Sequence, residues 1–419
     1  MDTQPLSSLS GLYAAKAKAL QQLIHDESVK DISLHGLVAS SAALFFSEVT
    51  ATGTDSVFLF ILNDEEEAGY FFHDLSKVED REVLFFPSSY RRAVKYGQHD
   101  AANEILRTEV LAKIAQGVQV QQPTVNNQQP TVCIITYPEA IAELVVSKKQ
   151  LDERILMLKV NQTIELTAIA KTLRSFGFQE TDYVYEPGQF AIRGSILDIY
   201  SFSHELPYRI DFFGDDIDTI RTFEVESQLS KERKDSIEIV PELSSLVDDK
   251  IPFLSFLPKN TVLVAKDFRF ISDTIARIYD EGFSKQALAE RLEDKTEQEQ
   301  QTIRKEMERE RQLCTATEFI RAAELFKRVT LERGNEGARE RHSALKQQGS
   351  LSFHTTPQPL FHKNFDMLLS TLNDYKLQGY TIYILADSMK QQQRLAEIMK
   401  ERGSERARER ESERARERE

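Results

Sequence analysis

The chain has 419 residues, a formal net charge of -14, 41% apolar and 29% charged residues, and two cysteines. That length suits about three domains, no stretch approaches the roughly 18 uninterrupted apolar residues of a membrane-spanning helix, and the first residues lack the basic end and apolar block of a secretory signal, so a cytoplasmic location with no membrane partner is expected. The acidic balance disfavours a large nonspecific grip on nucleic-acid phosphates, which needs clustered Lys and Arg; if this protein serves DNA, this chain is expected to act through a partner.

In chain order, the first third alternates short apolar runs with helical patterns, from DISLHGLV through SAALFFSEV, SVFLFIL, EEEAGYFFHDLSKV and EVLFFP to TVCIITY. Runs of that kind, separated by helices, predict a parallel sheet. Ala101, Ile105, Leu106, Val110, Leu111 and Ile114 recur at helical spacing, and the Q/P/N-rich stretch from Gln119 to Gln129 reads as a loop. A helix is predicted from near Thr163, whose hydroxyl can cap it, to Phe176, with a stop at Gly177.

Five strands then follow at short intervals: TDYVYE, QFAIR, SILDIY, YRIDFF and DIDTIRTF. Pro187-Gly188, Arg193-Gly194 and Gly214-Asp215 punctuate them, which predicts a compact antiparallel α+β unit of roughly 80 residues. It is inserted in the α/β domain, because parallel-type signals resume at NTVLVAKDF. Ser284 to about Lys327 has the composition of long exposed helices. A boundary is expected near GNEGARERHSALKQQG. Beyond it a strand (SLSFHT), a helix over Phe365 to Tyr375, a strand (YTIYILA) and a helix ending near Arg402 predict a small α/β module. The last sixteen residues are the octapeptide SERARERE written twice, which builds no core and reads as an artefact.

Cys133 and Cys314 show no zinc or redox spacing, none of the eight histidines lies in a metal-ligand spacing, and His35 reads as a core or capping residue. Asp198, Asp211, Asp215, Asp216 and Asp218 could suggest paired carboxylates for metal-dependent or glycosidic hydrolysis. Gly214-Asp215-Asp216 is, however, ordinary hairpin chemistry, so no catalytic or metal residue is expected. After Phe86-Pro87, Arg91, Arg92 and Lys95 read as a solvated helix face or a weak nucleic-acid contact, beside Tyr90 and Tyr96.

Within the inserted unit, strand alternation assigns Ile192, Ile196, Leu197, Ile199, Ile210 and Phe212 to the core. Arg193, Arg209 and Asp211 remain as charges in apolar strands, which neighbouring strands can present together on an open face. Alternatively, Arg193 pairs internally with Asp198 or Asp211, because an arginine fork suits both jobs. Phe190 and Phe213 are candidate aromatic anchors for a partner, or core.

The block from Glu186-Pro-Gly-Gln-Phe-Ala-Ile-Arg-Gly-Ser-Ile-Leu-Asp-Ile-Tyr200 to Leu206-Pro-Tyr-Arg-Ile-Asp-Phe-Phe-Gly-Asp-Asp-Ile-Asp-Thr-Ile-Arg-Thr-Phe-Glu-Val-Glu-Ser-Gln228 resembles the region shared by the excision-repair protein UvrB and the transcription-repair coupling factors (Mfd). In UvrB a phosphate loop G-x-x-x-x-G-K-T cradles nucleotide phosphates, with the Lys on the terminal phosphates and the hydroxyl on magnesium. The stretch Gly36-Leu-Val-Ala-Ser-Ser-Ala-Ala43 has Ser41, Ala42 and Ala43 at the second Gly, Lys and Thr. This degenerate loop resembles the coupling factors, not UvrB. At the second nucleotide motif stands Ala265-Lys266-Asp267-Phe268, and a lysine in place of the magnesium-coordinating aspartate is poor chemistry for ATP hydrolysis.

The resemblance implies a multidomain α/β chain. Residues 1–153 and 238–345 would form a degenerate UvrB-like, helicase-like (RecA-like) parallel-sheet domain, interrupted at 154–237 by an α+β UvrA-interaction domain. A small α/β domain would follow at 346–403, then the repeated tail at 404–419. It further implies that the chain is the N-terminal part of a coupling factor recruiting UvrA to stalled transcription complexes. The UvrA contacts would be Phe190, Arg193, Arg209, Asp211 and Phe213. Gln179 departs from the pattern, since some coupling factors have an Arg there. No ATPase and no cofactor are expected in this part. ATP and magnesium, RNA polymerase and double-stranded DNA would belong to other domains of the parent translocase. The alternative is an active UvrB-type subunit that binds ATP and damaged DNA.

Overall fold

The computed structural model describes residues 11–51, 56–79, 81–89, 101–115, 131–243, 250–282, 312–332, 348–357, 361, 364–384 and 388–401. Tyr90, Arg91, Arg92, Lys95, Tyr96, the Gln119 to Gln129 loop, the first part of the helices expected from Ser284, and the repeated tail lie outside them.

The first elements run α1 (Ala14–His25), β1 (Asp31–His35), α2 (Ser41–Ala51), β2 (Val57–Ile61), α3 (Glu65–Val78), β3 (Val83–Phe85), α4 (Ala101–Ala115), β4 (Val132–Thr136), α5 (Pro138–Ala142), β5 (Leu144–Val146) and α6 (Lys148–Asp152). Local chemistry fixes their ends. Asp64 accepts from the Glu67 amide at 2.8 Å to start α3, as an N-cap aspartate does.

The chain then enters a second body: β6 (Leu156–Lys159), α7 (Leu166–Ser175), β7 (Gln179–Glu180), β8 (Gln189–Arg193), β9 (Ile196–Ile199), β10 (Tyr208–Phe213), β11 (Asp216–Phe223), β12 (Ser230–Lys234) and β13 (Ser236–Ile239). It returns through β14 (Lys250–Pro252), α8 (Phe253–Phe256), β15 (Thr261–Ala265), α9 (Phe268–Gly282), α10 (Ala316–Ala323), β16 (Lys327–Glu332) and β17 (Gln348–Ser352). β14 pairs with β5, and β13 with β6, so the excursion opens and closes on antiparallel ribbons.

Seven strands form one parallel sheet in the order β17-β1-β16-β15-β2-β4-β3. β2 and β15 are neighbours although the whole second body lies between them in sequence. β2, β4 and β15 are buried at every position, as strands covered on both faces must be. Helices pack in two groups, α1 on α2 on α3, and α9 with α5 and α10. Below β3, Arg107 donates to the carbonyls of Pro87 at 2.7 Å and Ala140 at 3.1 Å, lies 4.2 Å from the Phe86 ring centre, and approaches Glu143 at 3.3 Å. The hydroxyls of Ser88 and Ser89 each reach Glu143 at 2.6 Å. This buried polar knot borders a cavity of about 40 Å³.

Several expectations are corrected. SLSFHT does not open a separate module: β17 joins the main sheet beside β1 in parallel register, Ile32 opposite Gly349 and Leu34 opposite Leu351. TDYVYE, Thr181 to Glu186, forms no strand: β7 ends before it at Glu180, and the Gln189 side chain accepts the amides of Tyr185 and Glu186 and holds them in a loop. α7 begins at Leu166, not Thr163, whose hydroxyl instead donates to Asp216 at 2.5 Å. β13 extends the insert two residues past the expected boundary, to Ile239.

The residues beyond Thr355 form their own compact unit. Its described part holds α11 (Phe365–Leu377), capped by Asn364, and a helix over 389–401; Thr381 to Ile384, expected as a strand, are in none. No helix among the described residues is long and apolar enough to cross a membrane.

Candidate functional site

The loop Gly36 to Ala43 joins β1 to α2. Gly36 sits at φ +87°, and a Cβ there would lie 2.2 Å from the Phe353 carbonyl oxygen, so the sheet edge has closed onto this turn. The Ser41 hydroxyl turns back on its own loop, accepting the Val38 amide at 2.8 Å and donating to the Val38 carbonyl at 2.7 Å. Ala42 and Ala43 are buried in the main hydrophobic core with Phe45 and Phe46. The positions that would carry a phosphate-binding lysine and a magnesium-binding hydroxyl are packed apolar contacts. His35 is buried beside Glu332, 3.2 Å away. Lys266 pairs with Glu67, and Asp267 caps α9 through the amides of Arg269 at 2.8 Å and Phe270 at 3.1 Å. Neither is posed as a metal ligand. Among the described residues no group of three or more His, Cys, Asp or Glu could hold a metal ion.

The inserted body presents a different surface. β12-β11-β10-β9-β8-β7 form a six-stranded sheet. One face carries Phe190, Leu197, Ile199, Tyr208, Ile210, Phe212, Ile217 and Ile220 against Ile169, Ala170 and Leu173 of α7. Phe190, proposed above as an anchor, is fully buried in that core, because it shares strand parity with Ile192; it cannot serve a partner.

The opposite face has no helix of its own among the described residues, and its small apolar cluster is Val184, Ala191 and Phe223, with Tyr200 packed against it. Here strand register sets charges side by side. Asp198 stands between Ala191 of β8 and Arg209 of β10, and Arg209 stands opposite Arg221 of β11. Asp198 is fully buried and gathers two arginines. Arg209 binds it as a fork, Nε to Oδ1 at 2.8 Å and Nη2 to Oδ2 at 2.9 Å, and Arg193 Nη2 donates to the same Oδ2. Arg209 also donates to the Gln228 carbonyl at 3.2 Å and side chain at 2.9 Å. Arg193 donates to the Asp182 carbonyl at 3.0 Å. Hydrogen bonding to Asp198 raises the Arg209 guanidinium pKa further, so it carries a fixed charge.

Rings enclose the pair. The Arg209 guanidinium lies 4.3 Å from the Phe223 ring centre, and that of Arg193 lies 4.9 Å from Tyr183, distances suited to cation–π attraction. Asp211 holds Arg221 at 2.7 Å and accepts the Thr219 hydroxyl at 2.6 Å. Phe213, which shares parity with Arg209 and Asp211, is 83% exposed at the end of β10. Phe213 is thus a large aromatic standing in water on the face that carries the arginines, and aromatic residues and Arg are types enriched in interfaces.

The structure thus brings Arg193, Arg209, Asp211 and Phe213 onto one face and removes Phe190 from it. The internal pairing of Arg193 with Asp198 and the presentation of both arginines on the open face coexist. Sequence reading missed Tyr183, Arg221 and Gln228. The signal for Arg221 was its position opposite Arg209 across a hairpin whose turn, Gly214-Asp215, was visible.

Residues 156–244 match the UvrB interaction domain family. The chain is 30% identical over 220 residues to the transcription-repair-coupling factor of Bacillus subtilis, which is 51% of this chain and 17% of that protein. It is 41% identical over 86 residues to that of Escherichia coli, 20% of this chain and 8% of the relative. The match to that of Staphylococcus epidermidis is 22% over 288 residues, 58% of this chain and 24% of the relative. The resemblance to transcription-repair coupling factors therefore extends over about half the chain, and the matched regions amount to a quarter or less of each relative.

Proposed function

We propose that this chain is the UvrB-like platform of a transcription-repair coupling factor and that it recruits UvrA through the open face of its six-stranded sheet. The observation that carries the reading is Phe213, 83% exposed on the sheet face that also carries Arg193 and Arg209, within the segment that matches the UvrB interaction domain. The aromatic supplies apolar area, and the arginine pair supplies positive charge and charge-assisted hydrogen bonding. In this reading the chain works in the cytoplasm, without a cofactor, and it neither binds nor hydrolyses nucleotide at the Gly36 to Ala43 loop, because Ala42 and Ala43 are core residues. Contacts with RNA polymerase and duplex DNA, and ATP-driven translocation, are assigned to parts of the coupling factor other than these residues.

Calorimetric titration of purified UvrA into the chain tests the proposal. Phe213→Ala is expected to weaken binding at least tenfold, in the range of an interface hot spot of about 1.4 kcal/mol or more, while leaving the thermal midpoint unchanged. Absence of binding by the unmodified, folded chain would overturn the reading. A fluorescent ATP analogue is expected to show no binding at millimolar concentration.

A further inference from the structure

The arginines of the open face are not equivalent. Arg209 makes four hydrogen bonds inside the sheet, to both Asp198 oxygens and to the Gln228 carbonyl and side chain, and its side chain is only 13% exposed. Arg193 makes two, to Asp198 and the Asp182 carbonyl, and its side chain is 31% exposed. A guanidinium has five N–H donors, so Arg193 keeps donors in hand and Arg209 has nearly spent its own. The two meet at one fully buried carboxylate, Asp198. A long arginine side chain pays rotamer entropy when a partner fixes it, and holding it in advance removes that cost.

From this geometry we infer that Asp198 and Arg209 are positioning residues of the docking face, and that Arg193, with Tyr183 beneath it, is the arginine that meets the partner. The inference rests on the docking reading above. Arg209 acts through Asp198: its fork fixes the orientation of the carboxylate, and the remaining acceptor position of Oδ2 then fixes Arg193. Tyr183 is half-exposed and lies against the Arg193 guanidinium, so it joins the contact area and limits the swing of that side chain. The partner group that fits is an acceptor, a carboxylate or a row of backbone carbonyls, set beside an apolar recess for Phe213.

The test is a double-mutant cycle in UvrA binding by calorimetry, with thermal unfolding and near-ultraviolet circular dichroism recorded for every variant. Asp198→Asn, the near-isosteric change, is expected to weaken binding about tenfold in a folded chain, and to have little further effect in an Arg193→Ala background. That coupling is what a merely structural role would not produce. Losses that simply multiply, or binding of Asp198→Asn within twofold of the unmodified chain, would overturn the positioning role while leaving UvrA docking intact. No binding by the unmodified chain would instead strike the docking reading itself. Arg193→Lys decides the matter if Asp198→Asn fails to fold. It keeps the charge at a partly exposed position but loses the fork, so it is expected to bind nearly as weakly as Arg193→Ala. Full binding by Arg193→Lys would show that charge alone suffices and would sink the inference.

Discussion

The loop after β1 and the open face of the six-stranded sheet are both places where the sequence departs from a plain core pattern, and they have gone opposite ways. In the loop, the polar side chains that a phosphate site requires are replaced by alanines, and the structure has closed over them: Ala42 and Ala43 join Phe45 and Phe46, and the Phe353 carbonyl occupies the space beside Gly36. On the open face, arginines and aspartates persist in strands that could be apolar, and Asp198 is fully buried to hold them. Burying a carboxylate is costly unless it is paired and hydrogen-bonded. Asp198 meets that condition through Arg193 and Arg209, so the open face keeps its charges in place, whereas the loop is ordinary apolar packing.

The sharpest way to break this contrast is to remove the buried charge. Asp198→Ala leaves Arg193 and Arg209 without their shared partner, and breaking a buried ion pair from one side costs about 3–5 kcal/mol. Urea unfolding should register a loss of that order. Asp215→Ala, in the exposed Gly214-Asp215 turn, should stay within about 0.5 kcal/mol. If both changes proved equally mild, the carboxylate would not be the keystone of the face.

The loop offers the converse experiments. Gly36→Ala introduces a side chain at φ +87° where the Phe353 carbonyl lies 2.2 Å from the new carbon. The strain should lower the unfolding free energy by about 2–3 kcal/mol. Restoring the lysine with Ala42→Lys should cost about 1–3 kcal/mol by overpacking, and should not create nucleotide binding. A stable variant that gained affinity for ATP would show that the loop had kept a latent site.

Much of this was legible in the sequence, and the exceptions have physical causes. QFAIR, SILDIY, YRIDFF and DIDTIRTF were readable because period-two patterning and glycine-marked turns are local. The pairing of SLSFHT with β1 was not, since partners more than 300 residues apart leave no local trace. Phe190 was misjudged although its parity with Ile192 placed it on the core side. Phe213 has the parity of Arg209 and Asp211, and the same rule puts it in the open. The two arginines were visible as charges out of place. That they share Asp198 depends on cross-strand register, which the turn lengths constrain but do not fix.

The smallest expected effect compares a paired carboxylate with one that has no cationic partner among the described residues. Glu238 lies on β13, half-buried, and burial pushes its carboxyl above the ordinary glutamate range. A carboxyl raised in the folded state stabilises the protein in its protonated form. That contribution is whole below the unfolded pKa, near pH 4.5, and is lost as pH rises through the folded pKa. Glu238→Gln keeps the neutral form at every pH. Its thermal midpoint should therefore equal that of the parent chain at pH 4 and exceed it at pH 7, by only about 1–2 °C, because half of the group is still screened by water. Asp198→Asn should show the opposite sign at pH 7, since there the amide replaces a charge that two arginines require. A Glu238→Gln midpoint below that of the parent at pH 7 would mean that Glu238 also has a cationic partner holding its charge, and the distinction between a carboxylate kept for its partners and one merely tolerated would no longer divide these two positions.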